Sequence, residues 1–146
     1  MIIIEDTREQ KALDFDTSGS VELVARHKLD YGDYSAHSQG KVCRVFFDRK
    51  GLGDLFGTLS KGNERFKREI KRCVDDGNRL IIIVEAPLSK VLKGFSRSKI
   101  PGLTIVKTLF TLTVKYNVQC VFCKDRAEMS KYIEEYFYAW ERNLKK

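Results

Sequence analysis

The chain has 146 residues, of which 42% are hydrophobic and 32% charged, and a formal net charge of +7 with a pI near 9.3. That length suits one α/β domain over residues 1–146. No apolar run approaches the ~20 residues of a membrane span, and Glu5 and Asp6 directly after the MIII opening exclude a signal peptide; an intracellular protein with a polyanionic partner is expected.

Met1–Glu5 reads as a short buried strand with Asp6 at its end. Arg8 and Glu9 follow on a loop, where they could pair with each other or cap local structure. Val21–His27 is the next strand, and Leu29-Asp30-Tyr31-Gly32 turns the chain, Gly32 suiting a backbone that changes direction just before Asp33. Tyr34–His37 is a third strand. Ser38-Gln39-Gly40-Lys41 then forms a turn into a strand over Val42–Asp48, where Val42, Arg44, Phe46 and Asp48 alternate with Cys43, Val45 and Phe47. Asp48 and Lys50 are two residues apart, so they leave an extended chain on one face. If the two strands pair as a hairpin, Asp33 comes close to Asp48, and two acids and a lysine converge.

That convergence is what metal-assisted cleavage of a phosphodiester requires. Hard oxygen ligands hold Mg²⁺ or Mn²⁺, while the lysine, as a point charge, orients a water and offsets charge on the pentacovalent phosphate. Basic proteins offer many D-x-K triplets, however, and a solvated hairpin with a surface ion pair is the other reading of these three residues.

After Lys50 the period changes. Leu52, Leu55, Phe56 and Leu59 recur at helical spacing, with Asp54 on a neighbouring face. Ser60 or Asn63 can cap a second helix, whose apolar stripe is Phe66, Ile70, Cys73 and Val74. Lys67, Arg68, Lys71 and Arg72 load its other face, with Arg65 near the boundary. This is either a solvated face or a set of cations that contact phosphates beside the site. Leu80–Glu85 (LIIIVE) reads as a strand covered on both sides. Pro87 can open a short helix through Phe95, and Gly94–Pro101 is a loop. Leu103–Tyr116 reads as a packed helix through Ile105, Val106, Leu109, Phe110, Leu112 and Val114, and Val118–Phe122 as a strand. Arg126–Lys146 is an amphipathic helix whose stripe of Met129, Ile133, Tyr136, Phe137, Trp140 and Leu144 suits the core or a subunit interface. Cys120 and Cys123 fall inside a strand, where positions three apart face opposite ways, so the C-x-x-C pair reads as buried thiols. His27 and His37 sit in no motif and are read as surface or strand residues.

The motifs together carry a resemblance. GDY at 32–34, DRK at 48–50 and Asp54 after a three-residue gap resemble the GD...ERKxxxD signature of XPF-type structure-specific endonuclease domains of the PD-(D/E)XK nuclease superfamily. IIIEDTRE at 2–9 is similar to the opening strand of that domain, which ends in D-x-R-E, and LIIIVE is similar to its later buried strand. The resemblance implies a restriction-endonuclease-like mixed central β-sheet flanked by helices. It further implies a Mg²⁺- or Mn²⁺-dependent DNA endonuclease acting on branched or structured DNA in repair, recombination or replication.

In that reading Asp33 and Asp48 are the first metal ligands and Asp6 the next. Lys50 positions the water, Arg49 contributes its carbonyl as a ligand or its side chain to a phosphate, and Arg8 and Glu9 support the site. Asp54 is expected to hold Arg49 or Lys50. Arg65, Lys67, Arg68, Lys71 and Arg72 are the DNA-binding cations. Asp48 stands where the family usually has Glu, which draws the oxygen back by about one methylene. Larger members add a tandem helix-hairpin-helix module, for which 146 residues leave no room, so a stand-alone nuclease domain is expected. A homodimer or partner subunit, an inactive module that binds DNA or a protein, and an RNA substrate are the open alternatives.

Overall fold

A computed structural model describes residues 1–61 and 63–144. At its centre is β6 (Arg79–Val84), in which Leu80 through Val84 are each 0% exposed. An uninterrupted apolar strand of this kind must be covered on both faces, and each such side chain contributes roughly 1.5–3 kcal/mol by leaving water. On one side β6 pairs in parallel with β7 (Gln119–Phe122), and on the other with β5 (Val45–Lys50). The sheet continues antiparallel through β3 (Tyr34–Ser38) and β1 (Ile2–Glu5), then parallel to β2 (Leu23–Arg26) at the edge. The order β2-β1-β3-β5-β6-β7 is the expected mixed sheet.

The expected strand over Val42–Asp48 is two strands. β4 (Lys41–Val42) forms the hairpin with β3 across a two-residue turn, Gln39 at φ 54° and Gly40 at φ 74°, as the twist of a tight hairpin requires. The Cys43 amide still donates to the Ala36 carbonyl at 2.8 Å, and regular pairing with β3 then lapses at Arg44. The hydroxyl of Ser35 donates to the Cys43 and Val45 carbonyls at 3.2 and 3.0 Å and bridges the break. β5 rejoins β3 with Phe47 opposite Tyr34.

Alternate residues of the central strands serve two cores. Phe46, Leu80, Ile82, Val84, Cys120 and Phe122 face α1 (Leu52–Ser60), α2 (Asn63–Asp75), α3 (Leu88–Lys93) and α4 (Gly102–Tyr116). Phe47, Ile81, Ile83, Val121 and Cys123 face α5 (Arg126–Asn143). Cys120 and Cys123 thus lie on opposite faces of the sheet, as their spacing predicts, and both thiols are free.

α5 is fixed by its ends and by its stripe. Asp125 caps it by accepting from the Glu128 amide, while the Glu128 carboxylate accepts from the Lys124 amide, a reciprocal capping arrangement. Phe47 sits among Tyr132, Tyr136 and Phe137 at 5.3–6.0 Å, each ring nearly perpendicular to it. The aromatic stripe is therefore core rather than an interface. Of its expected extent, positions 145 and 146 lie outside the described residues.

α4 forms despite its threonines because their hydroxyls bond back along the helix, Thr108 to the Thr104 carbonyl and Thr111 to that of Lys107. Two of its expected core residues are outside: Phe110 is 43% and Val114 85% exposed, next to Leu103 at 53%. Val74 of α2 is likewise exposed. Nor do the expected caps of α2 act. Ser60 bonds back to the Phe56 carbonyl, and Asn63 is already the first helical residue.

Candidate functional site

Gly32 turns the chain into β3 with φ +67°, and a Cβ there would lie 2.8 Å from the Phe47 carbonyl oxygen. Only glycine meets both conditions. The turn delivers Asp33 between β5 and the end of β1, where three bonds hold it. Its amide donates to the Phe47 carbonyl at 2.7 Å, its carbonyl accepts from the Asp6 amide at 2.8 Å, and its carboxylate accepts from the Arg49 amide at 2.7 Å. Asp33 therefore lies beside the end of β5, as hairpin pairing predicts.

The alternation of β5 then sorts its three charged residues. Asp48 and Lys50 follow Phe46 toward α2, and the Lys50 ammonium lies 3.1 Å from the Asp48 carboxylate and 5.1 Å from the centre of the Phe66 ring. Arg49 points the other way. Its guanidinium makes two bonds to Glu9, at 2.8 and 2.6 Å, with the side chains only 7% and 4% exposed.

Asp33 and Asp48 line an open cleft of about 440 Å³ at this end of the sheet, together with Lys50, Asp54 and Glu69. Burial and the neighbouring Asp48 charge push Asp33 up to about 8, against the pull of the Arg49 amide. Glu69, on α2, is also raised, by burial and then by Asp48. Lys50 is depressed by burial but raised further by Asp48, and the net direction is upward. The upward net shift favours its charged form.

Several expected roles differ in this geometry. Asp6 reaches the cleft, but both its oxygens are engaged, by the Arg8 guanidinium at 2.8 and 3.3 Å and by the Leu29 amide at 2.8 Å. It is 2% exposed; burial would raise its pKa, yet these donors hold it below the ordinary value. Arg8 and Glu9 do not pair with each other: Arg8 serves Asp6 and Glu9 serves Arg49. That buried pair occupies the Arg49 guanidinium, and Arg49 still lines the cleft. Asp54 holds neither Arg49 nor Lys50, whose partners are Glu9 and Asp48; it stands exposed at the cleft rim.

The basic helix divides as well. Arg65 and Arg72 share the face of α2 that borders Lys50, and Arg72 donates to the Asp30 carbonyl at 2.8 Å and stacks over Tyr31. Lys67 pairs with Glu64, and Arg68 and Lys71 are exposed. Glu69 was hidden in the sequence by the surrounding cations. Its signal is spacing, three residues after Phe66 and four before Cys73, which puts a carboxylate on the buried face.

Among the described residues no three His, Cys, Asp or Glu side chains gather into a group that could hold a metal ion. The donor chemistry nonetheless suits one. Asp33 and Asp48 are two hard-oxygen carboxylates whose mutual repulsion a cation relieves, and Mg²⁺ is commonly held by one or two carboxylates with waters completing its shell. No helix among the described residues is long and apolar enough to cross a membrane.

The ERCC4 domain model matches residues 5–136. In fold the chain is similar to XPF from Aeropyrum pernix, with a TM-score of 0.67 at 19% identity over 92% of this chain and 62% of that one. XPF from Aeropyrum pernix in complex with DNA gives 0.69 at 21% identity and the same coverage. This chain thus spans about 62% of the length of those XPF chains. No curated protein sequence matches it. With the family model running through nearly every element of the mixed sheet and its helices, the chain belongs to the ERCC4 domain family.

Proposed function

We propose that this domain hydrolyses phosphodiester bonds in branched or structured DNA, with Mg²⁺ or Mn²⁺ held by Asp33 and Asp48. The observation that carries this reading is the convergence of Asp33, Asp48 and a cationic Lys50 at one open cleft. A bound divalent ion would supply Lewis-acid stabilisation of the phosphate and a more acidic water. Lys50, held between Asp48 and the Phe66 ring, faces the charge that develops on the phosphoryl oxygens, where a preorganised cation lowers the barrier most. Arg65 and Arg72 take phosphates beside the cut, and Arg68 and Lys71 add only general attraction to the polyanion. Arg49 acts through its backbone, whose amide orients Asp33.

The test is cleavage of flaps, forks, junctions and linear duplex in Mg²⁺, Mn²⁺ or chelator. Metal-dependent cutting of branched DNA that disappears in Asp33→Asn and Lys50→Ala upholds the proposal; variants as fast as the parent overturn it. A second reading, a weak or inactive module that binds DNA or a protein, is favoured by the engagement of Asp6 with Arg8 and Leu29. It predicts DNA binding that is indifferent to metal.

A further inference from the structure

α2 and the residue just past its end grip the turn before Asp33 at three successive residues. Arg72 donates to the Asp30 carbonyl at 2.8 Å, Asp76 accepts from the Tyr31 hydroxyl at 2.5 Å, and Glu69 accepts from the Gly32 amide at 3.1 Å. Positions 69, 72 and 76 share one helical face, so the grip is one surface of one element. The last of these contacts matters most for the cleft. Gly32 is buried, and a buried amide without an acceptor is costly. Its neighbours leave the peptide no slack, with φ at +67° and the Phe47 carbonyl within van der Waals reach. One residue later, Asp33 must meet Phe47, Asp6 and Arg49 at once.

We propose that Glu69 is a positioning residue for Asp33, acting through the hydrogen bond it accepts from the Gly32 amide. This rests on the assignment of Asp33 to the reaction, but the contact can be read without turnover. A helix that carries Arg65 and Arg72 thereby also sets the aim of the cleft carboxylate, and the acceptor, not the negative charge, is what the turn requires. Glu69→Gln keeps an acceptor and Glu69→Ala removes it.

The experiment follows amide hydrogen exchange at Gly32 by NMR, together with kcat and KM on a branched DNA, in the parent and both variants. For Glu69→Ala, Gly32 exchange rises at least about 10-fold and kcat falls about 10- to 100-fold, the range expected for leaving one buried amide without an acceptor, with KM within about 2-fold. Glu69→Gln stays within about 3-fold of the parent in both readouts. Unchanged Gly32 exchange in Glu69→Ala overturns the proposal, as does raised exchange with unaltered kcat. A Glu69→Gln as defective as Glu69→Ala also overturns it, because charge would then be the operative property. If Glu69→Ala does not fold, Glu69→Asp, which withdraws the acceptor by one methylene, takes its place. A parent that cuts no DNA defeats the assignment of Asp33, while Gly32 exchange still decides whether Glu69 holds the turn.

Discussion

Replacing Glu9 by Gln tests whether the Arg49 pair holds the wall of the cleft. The substitution keeps the volume but removes the charge and sets an amide NH₂ against the guanidinium. Both side chains are below 10% exposed and are joined by two bonds of 2.8 and 2.6 Å. Breaking such a pair from one side leaves a buried cation without compensation, which costs about 3 kcal/mol at the lower end of the usual range. For a chain of this size that lowers Tm by roughly 6–12 °C, and at a slope of about 2 kcal/mol/M it moves the urea midpoint down by about 1.5 M. The double replacement Glu9→Leu with Arg49→Met removes both charges together and should recover to within about 1 kcal/mol of the parent. The pH dependence has a definite sign. Burial raises the Glu9 pKa, but the Arg49 bonds outweigh it and the net shift is downward. Its contribution is therefore present above the ordinary glutamate range and is lost as pH falls through the folded value. Urea melts across the acid range measure this directly, and Glu9→Gln should flatten that part of the profile. A Glu9→Gln loss under about 0.5 kcal/mol, the size of an ordinary surface change, refutes the reasoning.

Asp33→Asn should leave Tm equal or higher in chelator, since a desolvated carboxylate facing Asp48 becomes neutral; Mn²⁺ should raise the Tm of the parent and not of the variant, as differential scanning calorimetry would detect. Gly32→Ala should lose at least about 2 kcal/mol in urea melts, because the new Cβ meets both a left-handed φ and the Phe47 carbonyl. Burial, followed by the bond to Asp76, pushes Tyr31 up to about 12. Stability held by its protonated form is thus complete below about pH 10 and fades as pH rises toward 12. Tyrosinate absorbance of Tyr31→Phe should lack one late-titrating group, and an unchanged titration curve would contradict this.

The parts of the fold that one segment determines by itself were legible in the sequence. Leu80 to Val84 include no polar residue that could face water, so their burial on both faces follows from composition. Asp33, Asp48 and Lys50 meet because period-two alternation and a tight hairpin leave little other choice. The unexpected features depend on which distant segment arrives. Glu9 and Arg49 are forty residues apart, and nothing local says that the loop after β1 crosses the far face of β5. Asp6 resembles a ligand until the Leu29 amide and the Arg8 side chain close on it. The alternation is interrupted around Arg44, where the Ser35 hydroxyl donates to the Cys43 and Val45 carbonyls on either side. Phe110 and Val114 have the right spacing for a core face, but the neighbouring elements do not extend over them.

β5 acts as a sorting device as well as a strand. Asp48 and Lys50 supply the cleft, while Arg49 between them bolts the strand to the loop after β1 through Glu9, so two unrelated tasks share three consecutive residues. Adding or deleting one residue after the lapse at Arg44 would exchange the two sets, turning Arg49 toward α2 and leaving Glu9 opposite an acid. A two-residue insertion preserves the parity and moves only the reach. Reading frame along this short segment is therefore a constraint separate from side-chain identity.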